Sequence, residues 1–172
     1  ERDSLKIEEF DLGNSPSEFF NPILKGKDLV MTTTNGTKAI KVAESATQLL
    51  IGSFINHNVL LKYLLKSKKN VLILCAGWKG TINIEDTLYA GYLAQGLLNS
   101  HLVTSFSDSV SLAISIYERA KENIYNYIIE SSPRLKSKLS FINDDINYCL
   151  FGDQLEIIPE YSNGSITNLK FN

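Results

Sequence analysis

Residues 71–99 read VLILCAGWKGTINIEDTLYAGYLAQGLLN, and this stretch decides the predicted fold. The apolar run at residues 71–76 is typical of a strand that is buried on both faces. Residues 84–99 have the composition and the apolar spacing of a helix. The loop between them contains Gly77 and Gly80, which suit a tight connection. The stretch therefore predicts a strand that leads through a short loop into a helix.

The same order occurs twice more on the N-terminal side of this stretch. Strands are predicted at residues 28–34 (DLVMTTT) and 48–54 (QLLIGSF), because both are short runs of apolar or β-branched residues. Residues 37–46 and 58–66 between them suit helices. Alternating strands and helices of this kind predict an α/β fold with a mainly parallel sheet of βα units and additional C-terminal helices.

The pattern changes in the C-terminal third of the chain. A long amphipathic helix is predicted from Asp108 to beyond Ile128, with Ser107 placed to cap it and Pro133 ending it. Two short helices are predicted at residues 133–140 and 144–151. A last strand or edge segment is predicted at residues 155–159, and a surface hairpin or loose end from residue 162.

Composition narrows the class of protein. With 172 residues, 44% of them hydrophobic, and no repeat or linker, residues 1–172 are expected to form a single α/β domain. The 17 basic and 19 acidic residues are spread along the chain, which argues against nucleic acid as a partner. No run reaches the roughly 20 apolar residues of a membrane span. Two distant cysteines without a CxxC pattern favour a reducing, cytoplasmic location.

The polar residues of interest follow the predicted strands, where helix N-termini attract anions. TTTNGT at residues 32–37 combines hydroxyls, a carboxamide and a glycine that suit an oxyanion site, although an ordinary Asn cap and Gly turn explains it equally well. Ser53 and Asn56 follow the second strand, where a helix cap is again the alternative. His57 has no acidic or cysteine neighbour in sequence and is expected to be structural.

Glu85 and Asp86 open the helix after the third strand and are candidates for binding Mg2+, which prefers oxygen ligands. The alternative is a capping box from Asn83 to Asp86, with acids favoured by the helix dipole. Asp86 shares a helical stripe with apolar residues, so its carboxylate is expected to face inward and to need a partner. Cys75 at the strand end is either a nucleophile or, more commonly, a small buried apolar residue.

Several of these motifs occur in a specific order along the chain. The series is ER at the start, EFDLGNSP, TTTNGT, GSFIN, LCAGWKGTINIED followed by TLYAG, and SDSVSLA. This series resembles the 2-phosphosulfolactate phosphatase family of coenzyme M biosynthesis, from Glu1 to about Pro159.

The resemblance implies a magnesium-dependent phosphatase that releases sulfolactate and phosphate from a small anionic phosphorylated metabolite. It implies metal binding or acid/base work for Glu85 and Asp86. It also implies a forked contact from Arg2 to the substrate. The other implied substrate-binding residues are Asn14, Ser15, Thr33, Thr34, Asn35, Gly36, Ser53 and Asn56.

The chain also departs from the family pattern. An N-terminal DVLRAT-like segment has no counterpart here, so the chain is expected to be the C-terminal part of a longer family domain. His57 stands where the family tends to have a small residue, and Trp78 and Lys79 occupy a variable loop, so a related small organic phosphate is an alternative substrate. A non-catalytic module that binds anionic metabolites is the alternative function. A Rossmann-like nucleotide-binding domain is weaker, because no GxGxxG or GxxxxGK[ST] is present. Apolar positions on the long helix are compatible with a homodimer.

Overall fold

The structure is a computed structural model that describes residues 6–152 and 154–170. Within these residues the fold is mixed α/β, with seven α-helices and one three-stranded sheet. The helices are α1 (Gly36–Ala43), α2 (His57–Ser67), α3 (Ile84–Asn99), α4 (Asp108–Ala120), α5 (Ile124–Ser131), α6 (Pro133–Lys136) and α7 (Leu139–Leu150). The strands are β1 (Leu49–Leu50), β2 (Pro159–Ser162) and β3 (Ser165–Asn168). Short 3-10 helices cover Pro16–Phe20, Pro22–Leu24 and Phe54–Asn56.

The predicted helix at residues 84–99 is confirmed with the same bounds. Its start is fixed by Asn83, whose side-chain oxygen accepts a hydrogen bond from the Asp86 N–H at 2.9 Å. Its end is followed by His101, which has a φ of 58°, a left-handed conformation that stops helix propagation. No helix in the described part of the chain is both long and apolar enough to cross a bilayer.

The single long helix predicted from Asp108 is wrong, because the structure has α4 and α5 instead. The break falls at residues 121–123. The side chain of Asn123 accepts a hydrogen bond from the Asn126 N–H at 3.0 Å and starts a new helix. An asparagine side chain competes with the helical backbone for hydrogen bonds in this way and can interrupt a helix. The apolar spacing continues across residues 121–123 although the helix is interrupted there.

The predicted mainly parallel sheet is not confirmed. The sheet of the described residues is antiparallel, with Leu50 opposite Glu160 and a hairpin between β2 and β3. Residues 28–34 and 71–76 pair with no strand in the described chain, and only β1 of the predicted strand at 48–54 forms. An apolar run becomes a strand only when another strand satisfies its backbone groups, which composition does not report.

The C-terminal hairpin agrees with the surface hairpin predicted from residue 162. Asn163 and Gly164 form its turn with φ values of 50° and 80°. Two consecutive positive φ values are typical of the tight turns that suit the twist of hairpin strands. β2 itself begins at Pro159, so the segment predicted at 155–159 only leads into the strand.

The core consists of two clusters, and α3 contributes to both of them. Its Leu88 lies in one cluster, and its Leu93 and Leu97 lie in the other. The remaining buried members of the clusters are Phe54, Ala120, Ile128 and Leu135 in the first, and Leu60 and Ile158 in the second. A helix that is buried on two sides has little freedom to shift, so the position of its N-terminus is fixed as well.

His57 is part of this core, in agreement with the structural role expected for it. Its side chain is only 2% exposed, and its ring stacks on Tyr92 with 3.6 Å between ring centroids. Tyr92 stacks in turn on Tyr117 of α4 at 5.0 Å. The histidine therefore joins α2 to α3 and, through Tyr92, to α4.

Gly91→Ala is expected to lower the free energy of unfolding, because α3 and α4 approach closely at Gly91. A Cβ there would lie 2.2 Å from the carbonyl oxygen of Ala113. The clash outweighs the helix propensity gained by alanine, so the net loss should be roughly 1–2 kcal/mol in urea unfolding. Gly152→Ala is the control, since its Cβ would meet its nearest neighbour at 3.6 Å. Equal stability of the two variants would contradict the close packing of α3 on α4.

Candidate functional site

The TTTNGT segment begins α1, but it does not form the Asn cap that was the alternative interpretation of this motif. Thr33 Oγ1 accepts a hydrogen bond from the Thr37 N–H at 2.9 Å, and the Thr33 carbonyl accepts one from Thr37 Oγ1 at 2.8 Å. The side-chain oxygen of Asn35 instead accepts a hydrogen bond from the Lys79 N–H at 3.0 Å. Asn35 therefore joins the loop at the start of α1 to the loop that precedes α3.

A cavity of about 600 Å3 opens beside this segment. Hydroxyl groups of Thr32, Thr33 and Thr34 line it together with Lys38. The other lining residues are Ile7, Glu9 and Phe10. The threonines and the Lys38 ammonium group favour a negatively charged ligand, whereas the Glu9 carboxylate opposes one.

Asp86 is half-buried and has the partner that its inward-facing position required. Its Oδ2 accepts a hydrogen bond from the Gly77 N–H at 2.7 Å. Partial burial raises the pKa of this carboxyl, and the charge of Glu85 adds to the rise, while hydrogen bonds from Gly77, Asn83 and Ala76 oppose it. Only the Asn83 half of the capping box therefore forms, because the Asp86 carboxylate holds the loop after residue 76.

Glu85 has a different set of neighbours. Its Oε1 forms an ion pair with Arg134 of α6. Its Oε2 is buried and has no hydrogen-bond partner within the described residues. A buried carboxylate oxygen is costly to leave unsatisfied, so Oε2 could accept one further donor or a cation beside the Arg134 guanidinium on Oε1.

The two adjacent acids do not point at one shared place. Neighbouring positions on a helix face different directions, and here one carboxylate reaches Gly77 while the other reaches Arg134. Within residues 6–152 and 154–170, no group of three or more acidic, histidine or cysteine side chains is arranged to hold a metal. A metal at this position would therefore use one carboxylate together with substrate and water oxygens, as Mg2+ commonly does.

Other predicted site residues make structural contacts. Asn56 is 3% exposed, and its amide donates to the carbonyls of Ile51 at 3.1 Å and Ile157 at 3.2 Å. Its oxygen accepts from the Ser53 N–H at 2.8 Å. The Asn56 side chain does not cap α2, as the helix-cap alternative expected, and instead forms a capping box with Ser53 around the 3-10 helix Phe54–Asn56. The role of both residues in binding stays a prediction.

The EFDLGNSP segment is directed toward α7. Ser15 Oγ donates to Asp145 Oδ1 at 2.5 Å, and Asn14 is exposed. Gly36 lies beside Thr33, and a Cβ at this position would come within 3.1 Å of Thr33 Oγ1. Arg2 lies outside the described residues.

Cys75 is exposed rather than buried. Partial desolvation raises the pKa of its thiol, and the nearby charge of Asp86 raises it further. Since the thiolate is the reactive form, this surrounding disfavours Cys75 as a nucleophile at neutral pH.

Two residues of the site were missed by the sequence reasoning. Lys38 lines the first cavity and directly follows TTTNGT, so its proximity to that motif was an available signal. Arg134 binds Glu85 from 49 residues further along the chain. No sequence spacing connects Arg134 with Glu85, and only the packing of α6 brings these two residues together.

Taken together, the fold and the site define a mixed α/β protein with an anion-favouring cavity at the start of one helix and acidic residues at the start of another. A family model for 2-phosphosulpholactate phosphatase matches residues 1–164. The chain belongs to the 2-phosphosulfolactate phosphatase family, which confirms the resemblance found in the sequence. The predicted enzyme class, a phosphoric monoester hydrolase, is that of this family.

Individual relatives agree with the family match. A protein of Clostridium beijerinckii is 35% identical over 167 residues, which are 97% of this chain and 70% of that protein. One from Clostridium acetobutylicum is 34% identical over 96% of this chain and 70% of its own length. One from Caldanaerobacter subterraneus is 36% identical over 96% of this chain and 68% of its own length. All three are described as probable 2-phosphosulfolactate phosphatases.

Gly77→Ala is expected to destabilise the loop before α3 more than Gly80→Ala does. Both glycines have positive φ values, 71° and 82°, so alanine is strained at either position. Only at Gly77 would the Cβ also clash, 2.5 Å from the Thr81 carbonyl oxygen, whereas nothing lies within 4 Å at Gly80. The difference should be about 1 kcal/mol or more in urea unfolding. An equal effect of the two substitutions would contradict this loop geometry.

The raised pKa of Asp86 predicts a pH dependence of folding. The folded protein binds the Asp86 proton more tightly than the unfolded chain does, so this residue disfavours folding above its folded-state pKa. As pH falls from neutral toward 4, wild type should therefore gain stability relative to Asp86→Asn, which lacks the titration. Urea unfolding at several pH values measures the difference. A difference that is constant with pH would show that the pKa is not raised.

Proposed function

We propose that this chain acts as a magnesium-dependent phosphatase that hydrolyses 2-phosphosulfolactate, or a similar small organic phosphate, to sulfolactate and phosphate. The observation that carries the proposal is the family match over residues 1–164. The first cavity supports it independently, because three threonines and Lys38, together with Glu9, line a space that is large enough for a small metabolite.

The first cavity is the proposed binding place for the phosphate ester. Thr33 and Thr34 line this cavity, and Lys38 supplies a positive charge. Asn35 and Gly36 follow these threonines directly in the chain and are proposed to complete the binding loop. These groups stabilise the charge on the phosphoryl oxygens, which supports catalysis when the stabilisation grows in the transition state.

Glu85 is the proposed magnesium ligand, through the buried Oε2 that has no hydrogen-bond partner among the described residues. Glu85 does not line the first cavity, so the proposal requires the phosphoryl group to extend from that cavity toward Glu85, where bound Mg2+ would polarise its oxygens and offset their charge. Asp86, by contrast, holds the Gly77 N–H and thereby fixes the loop beside the site. We therefore assign metal binding to Glu85 and loop positioning or proton transfer to Asp86.

The proposed reaction is direct hydrolysis. A water oxygen forms a bond to phosphorus while the bond from phosphorus to the ester oxygen breaks. The ester oxygen takes up a proton and leaves as the hydroxyl of sulfolactate, and inorganic phosphate is the second product. The raised pKa of Asp86 suits this carboxyl to accept the proton of the attacking water.

Three finer parts of the proposal rest on single observations. Residues 28–34 and 71–76 run toward the Asn35 to Lys79 hydrogen bond at their C-terminal ends, which supports a parallel arrangement. Backbone hydrogen exchange of residues 71–76 tests this arrangement, since an unpaired segment exchanges fast.

Leu112 on α4 is 66% exposed and supports a homodimer, which sedimentation measures. Cys75 and Cys149 are unpaired, which supports the cytoplasmic location.

Phosphate release from 2-phosphosulfolactate, with and without Mg2+, tests the proposed function. Wild type should release phosphate only with Mg2+. Glu85→Gln should need at least about tenfold more Mg2+ for the same rate of release. Even the loss of a residue that only hydrogen-bonds a metal ligand lowers metal affinity by about tenfold or more, and Glu85 is a proposed ligand itself. Asp86→Asn should lower the rate at saturating Mg2+, because the carboxamide oxygen can still accept the Gly77 N–H but the amide cannot accept the proton of the attacking water.

Glu130→Gln is the matched control, since Glu130 is an exposed carboxylate on α5. It should behave as wild type. Release that is insensitive to a chelator would contradict the magnesium site. Binding of sulfolactate without any release of phosphate from the ester would favour the non-catalytic binding module.

A further inference from the structure

The loop that precedes α3 contains a tight turn at residues 78–81. The backbones of Trp78 and Thr81 exchange two hydrogen bonds of 2.9 Å, and Thr81 Oγ1 donates to the Trp78 carbonyl at 2.7 Å. The two central residues have positive φ values, 49° for Lys79 and 82° for Gly80. A two-residue turn of this kind reverses the chain within one hydrogen-bonded pair. We refer to this element as the 78–81 turn.

Lys79 is the residue that fits this turn least well. The left-handed conformation brings the Cβ of an ordinary residue close to its own backbone, and glycine or asparagine is the usual residue there. Contacts from outside the turn are therefore needed to hold Lys79 in place. One such contact is made to Lys79 itself, because its N–H donates to Asn35 Oδ1 at 3.0 Å.

Both acids at the start of α3 are connected to the same turn. Asp86 Oδ2 accepts a hydrogen bond at 2.7 Å from the N–H of Gly77, the residue directly before the turn. Glu85 forms an ion pair with Arg134, whose guanidinium carbon lies 4.6 Å from the centroid of the Trp78 ring. A cation at this distance is attracted to an aromatic face. A shift of the turn would therefore be felt at both carboxylates.

Asn35 connects this turn to the start of α1. Its backbone carbonyl accepts the Ala39 N–H at 3.0 Å, as the carbonyl before a helix does. Thr33 and Thr34, which directly precede Asn35, line the first cavity, whereas Asn35 is not among the described residues that line it. The backbone of Asn35 therefore belongs to the cavity loop, and its side chain supports the loop before α3.

We propose that Asn35 is a positioning residue of the site. Its carboxamide holds the 78–81 turn against the start of α1 and thereby fixes the threonines of the first cavity relative to the carboxylates of Glu85 and Asp86. This spacing matters because Glu85 does not line the first cavity and the phosphoryl group has to reach it. The inference rests on the proposed function and assigns the Asn35 side chain to the geometry of the site, not to a contact with the phosphate ester.

Amide hydrogen exchange of Lys79, measured by NMR, tests the contact without any substrate. Asn35→Ala should speed this exchange by about fivefold, the effect of losing one hydrogen bond of ordinary strength. Asn35→Asp should keep the wild-type rate, because a carboxylate oxygen can still accept the bond. The amide of Leu93, which is buried in α3, should keep its rate in both variants. An unchanged Lys79 rate in Asn35→Ala, or an equal acceleration in Asn35→Asp, overturns the inference.

Asn21→Ala is the matched control, because it also removes a carboxamide that accepts one backbone hydrogen bond. The Asn21 oxygen accepts the Ile23 N–H at 3.1 Å, within its own segment of the chain. This variant should leave the exchange of the Lys79 amide unchanged. An acceleration as large as that in Asn35→Ala would show that the exchange reports on overall stability, and it would overturn the positioning role.

Kinetics with 2-phosphosulfolactate separate positioning from ligand binding. Asn35→Ala should lower kcat by about tenfold or more and change KM by less than about twofold, because the reacting groups are misplaced while the cavity lining is kept. Lys38→Gln is the comparison, since Lys38 lines the cavity and its loss should raise KM. A raised KM with unchanged kcat in Asn35→Ala would make Asn35 a ligand contact and overturn the inference. If wild type releases no phosphate, the proposed function fails, and the exchange experiment still decides whether Asn35 holds the turn.

Discussion

The close approach of α3 to α4 at Gly91 is the constraint on which the rest of the structure depends. Only a residue without a side chain allows the backbones to come together there, and this contact lets α3 bury Leu88 on one side and Leu93 on the other. Because α3 is fixed along its length, its first turn is fixed too. That turn carries Glu85 and Asp86, so the position of both candidate catalytic acids is a consequence of core packing.

Sequence reasoning was successful where local rules decide the structure. The bounds of α3 followed from its apolar spacing and from Asn83, both of which are readable within one stretch of chain. Sequence reasoning failed where the structure of a segment depends on a residue that is distant in sequence. Residues 71–76 have a strand composition but no strand beside them in the described chain, and the contact between Arg134 and Glu85 spans 49 positions. The site was therefore predictable as a set of loops, but not as a set of contacts.

Glu85 and Asp86 illustrate how adjacent residues of the same type acquire different tasks. One carboxylate has a cationic partner and a buried oxygen that no described group satisfies, and the other accepts a backbone hydrogen bond and has a raised pKa. We propose a cation at the first, and a proton is held more readily at the second. The difference comes from the direction in which each side chain leaves the helix, and a motif alone does not report it.

The exposed apolar runs at residues 28–34 and 71–76 have a consequence for the behaviour of the protein in concentrated solution. Val30 is 93% exposed and Leu72 is 91% exposed, on backbone that pairs with no strand among the described residues. Such edges are templates for aggregation between copies. Lysines precede both runs, at residues 25 and 27 and at residues 66, 68 and 69, where like charge keeps copies apart. Since salt screens this repulsion, the colloidal stability of the protein should decrease as ionic strength rises.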